Sequence, residues 1–336
     1  MTLTSIGDLS RGFALKRQSV ALKQALTRLG TEVSTGHAAD PVAQLGGNTA
    51  RLSRIEHDLA LASSYRDTVS AARTTAETMQ TALQRIGDDT DALVDTLVLA
   101  GADARPSGIT LATAEAGATL EGMVSALNTG VADRQLFSGA AVDTAPLIPA
   151  GDILAQLRIT MAAASTPADV EAAADAFFDT SGGAFETLVY RGAANDLAPV
   201  DLGAGETATL DLRADDAAFR DTLKYTALAA LAGDSGLTLT EDARRGVLDR
   251  ALDGLLGARD ALSGRQATLG LAENRIAQAD ARIGAETAAL EIARNTLLSV
   301  DSYQAATELE AVRLQLETVY SVTARLSRLS LVNFLS

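Results

Sequence analysis

Few residues in this chain are equipped for covalent or acid–base chemistry. There are two histidines, His37 and His57, and no cysteine. Thiolate nucleophiles, disulfides and Cys-ligated metals are therefore excluded, and histidine-based proton transfer has two possible sites at most. Gly233-Asp234-Ser235-Gly236 matches a tetrapeptide found around serine nucleophiles. A serine attacks only when a base lies beside it. His37 falls in an N-terminal turn and His57 on a heptad-patterned helix, so the tetrapeptide reads as a glycine-rich turn. A hydrolase built on Ser235 is the remote alternative. The carboxylate pairs Asp88-Asp89 and Asp215-Asp216 could attract a hard cation, but adjacent residues point in different directions and no Asp-x-Asp-x-Asp-Gly loop occurs. They read as solvated surface. Neither Gly-x-x-x-x-Gly-Lys nor a Gly-x-Gly-x-x-Gly after a strand is present. The sequence thus predicts no catalytic residue, no metal site, no cofactor and no enzyme.

Composition points to long helices instead. The chain has 336 residues, 47% of them hydrophobic but only 4% aromatic, with no tryptophan. Ala and Leu make narrow helix seams more readily than a thick globular core. The net charge of −15 argues against binding a nucleic-acid backbone. That charge is uneven: residues 143–262 hold −11, whereas residues 1–60 are +2 and residues 263–336 are −1. Near-neutral, leucine-rich ends allow copies of a chain to approach closely, while an acidic middle stays solvated. The longest uncharged run is 11 residues, Gly122–Ala132, too short for the ~18–20 that span a bilayer. No basic segment followed by an apolar stretch marks a cleaved signal peptide near Met1.

Both ends carry heptads. Leu15, Leu22 and Leu29 recur every seven residues, and Ser19, Leu26 and Val33 form the offset row, giving one apolar seam over about 9–33. Ser34-Thr35-Gly36 ends that helix, and Pro41 is expected to open a second one running to about Ala100. Leu45, Leu52 and Leu59, then Ile55, Ala62 and Val69, give its apolar rows. Gly101–Ser107 is a break, and a third helix is expected from Ile109 to about Val131. In the C-terminal third, Ile276, Ile283, Leu290 and Leu297 repeat at seven. The register slips near Asp301, which marks a joint. Leu309, Val312, Leu316, Val319 and Leu326 then form a new stripe, extended by Leu329, Leu331, Val332, Phe334 and Leu335. The two seams lie at opposite chain ends, so each is expected to need a neighbouring subunit as its mate.

The middle reads differently. Residues 153–178 suggest a helix interrupted at Ser165-Thr166-Pro167, Phe185–Tyr190 a strand, and 200–212 a β-hairpin about Gly203-Ala204-Gly205-Glu206. The expected fold is mainly α: an elongated coiled-coil or helix bundle from both termini with a small inserted α+β domain. The expected divisions are 1–40 and 301–336 as heptad assembly helices, 41–142 and 241–300 as two parts of a rod, and 143–240 as the insert.

The arrangement resembles the bacterial flagellin superfamily. Leu26-Thr-Arg-Leu29-Gly-Thr-Glu-Val33-Ser34-Thr35-Gly36 and Asp40-Pro41-Val42-Ala43 are similar to its N-terminal helix, turn and second-helix start. Arg134-Gln135-Leu136-Phe137-Ser138-Gly139 with Asp143-Thr144-Ala145-Pro146, Val189-Tyr190-Arg191-Gly192, Asp301–Leu309 and Leu329–Leu335 resemble the hook-associated protein 3 branch, the hook–filament junction proteins. The loop His37-Ala38-Ala39 is shorter than the family's and lacks its basic residue, and Phe334 stands where Tyr is common.

The resemblance implies a structural part of the flagellum, joining hook to filament, with the filament subunit flagellin as the alternative. It implies partners: other copies in a ring, an adjacent hook-associated protein, flagellin, and an export chaperone on the C-terminal helix. It also implies an extracellular location reached through the flagellar export apparatus. The assembly contacts would be Leu15, Leu22, Leu26, Leu29, Val33, Leu309, Val312, Leu316, Val319, Leu326, Leu329, Leu331, Val332, Phe334 and Leu335.

Overall fold

The structure is a computed structural model. It describes residues 6–102 and 106–335, with side-chain environments for residues 10–101 and 106–325. Helices dominate: α1 (Ile6–Thr35), α2 (Pro41–Gln44), α3 (Ala50–Ala102), α4 (Pro106–Leu127), α5 (Ala150–Thr160), α6 (Pro167–Phe178), α7 (Ala217–Leu231), α8 (Glu241–Leu298) and α9 (Ser302–Leu335). Two antiparallel hairpins, β1 (Gly130–Val131) with β2 (Arg134–Gln135) and β3 (Val200–Gly203) with β4 (Glu206–Ala208), and one π-helical turn complete the described elements. The fold is mainly α with a small strand-containing region. It divides into two compact units: residues 1–63 with 284–336, and residues 64–283. The first has net charge zero and the second carries the whole −15.

Local chemistry sets the helix ends. Gly36, at φ 70°, stops α1 in the left-handed conformation that costs glycine little. Asp40 Oδ1 accepts from Ala43 N at 3.1 Å and Pro41 takes the first helical position, so α2 starts as the sequence suggests. It does not continue into a long helix. Gly46 (φ 60°) and Gly47 (φ 83°) are both left-handed, which breaks the chain until α3 begins at Ala50. Asp301 is the joint before α9, its Oδ1 accepting from Tyr303 N and Gln304 N at 2.9 and 3.2 Å.

In the larger unit α3 and α8 run antiparallel. Arg259 pairs with Asp91 at 2.7 Å, Gln266 donates to Leu83 O at 3.1 Å, and Arg73 approaches Asp280 at 3.7 Å. Val69 on α3 and Ile276 and Ile283 on α8, from the rows read in the sequence, are buried here, as are Met79, Leu83, Ile86 and Leu93 farther along α3. α4 packs against α7, burying Leu120, Met123 and Leu127 against a helix whose Phe219, Leu223, Leu228 and Leu231 are buried. The middle segment therefore shares its core with α4.

Three local expectations change. α4 stops at Leu127, and the β1–β2 hairpin follows through Ala132 and Asp133, both with positive φ as a tight hairpin turn demands. Phe185–Val189 is a single π-helical turn rather than a strand. Phe185 and Val189, four apart, are both buried while Leu188 is 51% exposed, which is a helical spacing and not strand alternation. Leu210 and Leu212 are buried but lie beyond β4, which ends at Ala208.

Candidate assembly interface

The smaller unit is organised around α1 and α9, which pack against each other. They are antiparallel. At one end Ala38 N donates to Leu298 O at 2.8 Å and Val300 N to Gly36 O at 3.0 Å, clasping the two joints. Farther along, the Lys23 ammonium stands 5.7 Å from the Tyr320 ring centroid, within cation–π range. The two ends of the chain thus supply each other's seam.

The heptad residues face this pair. On α1, Leu29 is buried and Leu15, Leu22, Leu26 and Val33 are half-buried; on α9, Val319 is buried and Leu309, Val312 and Leu316 are half-buried. The side chains of Leu326, Leu329, Leu331, Val332, Phe334 and Leu335 lie outside the described residues. The expectation that each seam lacks an internal mate is corrected: the mate is the other end of the same chain. Glu32 is the charged residue in the seam. It is buried, holds Arg28 at 3.0 Å and accepts from Ala39 N at 3.3 Å, tying the end of α1 to the following loop.

Sequence reasoning missed the opposite faces. Phe13 is 70% exposed and Leu314 66%, and Val20 and Val322 are also exposed. Phe13 and Val20, spaced by seven, flank Lys16 and Arg17 around a shallow depression. Apolar residues off the heptad stripe were the available signal. A two-helix pair with large apolar groups on its outer surface is unfinished as a core.

Residues 252–335 match the family model for the bacterial flagellin C-terminal helical region. The chain is similar to flagellin over this C-terminal quarter. Its fold is also that of the Bacillus cereus FlgL crystal structure, at 15% identity and TM-score 0.53, with 72% of this chain and 99% of that one covered. A candidate flagellar hook-associated protein from Vibrio parahaemolyticus aligns at 16% identity and TM-score 0.43, covering 74% of this chain and 98% of that one. Among curated proteins none matches the sequence.

Several of the residues that suggested chemistry make structural contacts. Asp234 Oδ1 accepts from Gly236 N at 2.7 Å within its own turn, its other oxygen pairs with Arg158, and Arg244 donates to Asp234 O at 3.0 Å. Ser235 is exposed on that turn. His37 Nδ1 lies 2.8 Å from Thr35 O, and His57 is exposed on α3. Asp215 pairs with Arg213 at 2.8 Å, and Asp216 caps α7 while holding Arg265 at 2.8 Å. Among the described residues no cluster of three His, Asp or Glu could hold a metal, and no helix is long and apolar enough to cross a membrane.

The Leu136-Phe137-Ser138-Gly139 segment is a knot of the larger unit. Phe137 is buried edge-on to Phe219 at 5.9 Å, and its carbonyl accepts from Ala214 N at 2.8 Å. Gly139 sits at φ 61° with Asn195 O where a Cβ would be, so only glycine fits. Tyr190 donates to Ala193 O at 2.9 Å, and burial, then Asp215, push its pKa up to about 12. Buried Lys224 bridges α7 to α6 through Asp179 at 2.6 Å and Asp175 at 3.0 Å. Burial would lower its pKa, but those hydrogen bonds outweigh it and raise it.

Proposed function

We propose that this protein is a structural subunit of the bacterial flagellum that joins the hook, through an adjacent hook-associated protein, to the flagellin filament. The observation that carries this reading is the antiparallel pair of terminal helices, of which α9 lies in the segment similar to the flagellin C-terminal region, with apolar residues turned outward on both helices. Such a pair gains most when copies surround it, since each outward Leu or Phe removed from water contributes roughly 1.5–3 kcal/mol. The charge division supports the same arrangement: a neutral unit can crowd in a ring of copies, while an acidic one stays solvated. In this reading the protein is not an enzyme, residues 143–240 form part of an outer region, and the chain reaches the cell exterior through the flagellar export route. A chaperone would cover the C-terminal helix before export. The FlgL-like fold favours the junction over the filament.

Immunogold labelling of isolated flagella tests the proposal. Label confined to a short band next to the hook is the expected result. Label along the whole filament would assign the chain to flagellin instead, and no label on flagella would remove the structural reading altogether.

A further inference from the structure

The outward face of α1 has a charge unlike the rest of the chain. Between Ser10 and Thr31 stand five cations, Arg11, Lys16, Arg17, Lys23 and Arg28, and no carboxylate, in a protein whose net charge is −15. Two of the five are engaged: Arg28 pairs with Glu32 at 3.0 Å, and Lys23 lies over the Tyr320 ring. Lys16 and Arg17 are exposed and have no ion-pair partner among the described residues. They bracket the exposed apolar pair. At about 100° of turn per residue, Phe13 and Val20 fall on one line along α1, with Lys16 on one side of it and Arg17 on the other. These four residues line a shallow depression of about 490 Å³, and among the described residues no second element supplies a wall.

We propose that this face docks the unassembled subunit onto an anionic lipid surface, with α1 lying in the plane of the headgroups. A basic helix with an apolar ridge is the sequence form of a membrane-surface segment. A folded partner grips a side chain between walls, whereas a one-helix ridge with cations on both flanks suits a fluid plane of negative charge. Phe13 and Val20 would reach the acyl boundary, while Lys16 and Arg17 run their stems back to phosphates on either side. The helix pair is oriented by the same charges. Leu314, exposed on α9, has Glu310 and Glu317 one turn before and after it, a setting that anionic lipid repels. Neighbours would cover the α1 face in an assembly, so lipid contact belongs to the subunit before assembly. The flagellar reading bears on that timing and not on the binding itself.

Vesicle flotation of the purified full-length monomer tests this. The chain should float with vesicles of equal parts phosphatidylcholine and phosphatidylglycerol, and stay behind with phosphatidylcholine alone. Binding should fall as salt is raised to about 0.5 M. Phe13→Ser, and the double variant Lys16→Glu with Arg17→Glu, should each lower partitioning at least about tenfold with unchanged circular dichroism, since all three side chains are exposed. Leu314→Ser should partition as the unaltered chain does. No flotation with the mixed vesicles, or flotation that survives either α1 variant, overturns the proposal. Self-association without flotation, abolished by the same variants, assigns the face to another protein chain and overturns it equally. The flagellar reading stands or falls separately, on where the chain is found in isolated flagella.

Discussion

Leu29→Ala should open the terminal helix pair while leaving the larger unit intact. Leu29 is 2% exposed, the most buried seam residue on α1, and it lies one turn from buried Glu32. Truncating a buried leucine costs about 2–5 kcal/mol, the spread depending on how far the site can collapse. A two-helix pair relaxes more easily than a closed core, so the low end applies, about 2–3 kcal/mol. At 1.4 kcal/mol per decade that raises the local opening constant roughly 30–150-fold. Amide hydrogen exchange on a verified monomer reads this directly. Amides of α1 and of its partner α9 should both lose protection by that factor, because opening one helix exposes the other. Amides of α4 and α7 belong to the other unit and should keep theirs. Leu314→Ala is the control: Leu314 is 66% exposed, so exchange should not change. Loss of protection in α1 without α9, or an equal loss in α4 and α7, would refute the pairing as the source of order.

Other perturbations separate the seam, the knot and the buried ionisable groups. Leu316→Asp places a charge in the half-buried α9 stripe and should leave export and most helical circular dichroism intact while abolishing filament growth on the hook; exposed Glu317→Ala should be nearly silent in the same motility assay. Gly139→Ala should lower the melting point of the larger unit, since alanine in the left-handed conformation costs about 1–2 kcal/mol before its Cβ meets Asn195 O. Deleting 143–239 should unfold that unit as well, because the cut removes α7 from α4; a deletion variant with native-like α4 exchange protection would contradict the shared core. Alkaline titration should weaken the unit through Tyr190 and Lys224, whose folded pKa values are raised. Their stabilisation is complete below about pH 10 and is lost as pH rises through the folded values, with roughly 2–3 kcal/mol from Tyr190 by pH 12. Tyr190→Phe should flatten that part of the pH–melting curve.

Helices and their buried rows were readable because periodicity and burial are the same signal on a long amphipathic helix. Leu52, Ile55, Val69, Ile276 and Ile283 were identified from spacing alone and are buried. Helix ends were readable where one side chain fixes them, as at Asp40 and Gly36. The break at Gly46-Gly47 was missed because the apolar row from Leu45 to Leu59 continues across it. The π-turn at Phe185–Val189 was missed because five apolar-rich residues fit either a buried strand or a helical turn. Lys224 in its carboxylate cage was invisible for a different reason: Asp175 and Asp179 lie more than forty residues away, and only tertiary packing brings them together. The pairing of α1 with α9 was likewise beyond periodicity, which shows that a helix has a seam and not what fills it.

Polar chemistry in this chain is turned inward to its own backbone. Asp40, Asp169, Asp216 and Asp301 cap helices, Asp234 closes a turn, and Asp215 and Asp196 hold Arg213. Asp169 has its pKa lowered by hydrogen bonds from Thr166 and then Ser165, which is what a carboxylate engaged in a capping box should show. Carboxylates engaged in this way have their lone pairs already used and are poor bases or ligands for anything external. Apolar surface is the opposite case. Phe13 and Leu314 remain uncovered on helices whose seam faces are already matched. A molecule that engages these carboxylates internally and leaves hydrophobic surface open on its neutral terminal unit has much of that unit's free energy of interaction in packing against other chains. That distribution suits a subunit whose work is to be held by neighbours, and Asp215, Asp216 and Asp234, which first suggested chemistry, hold the scaffold instead.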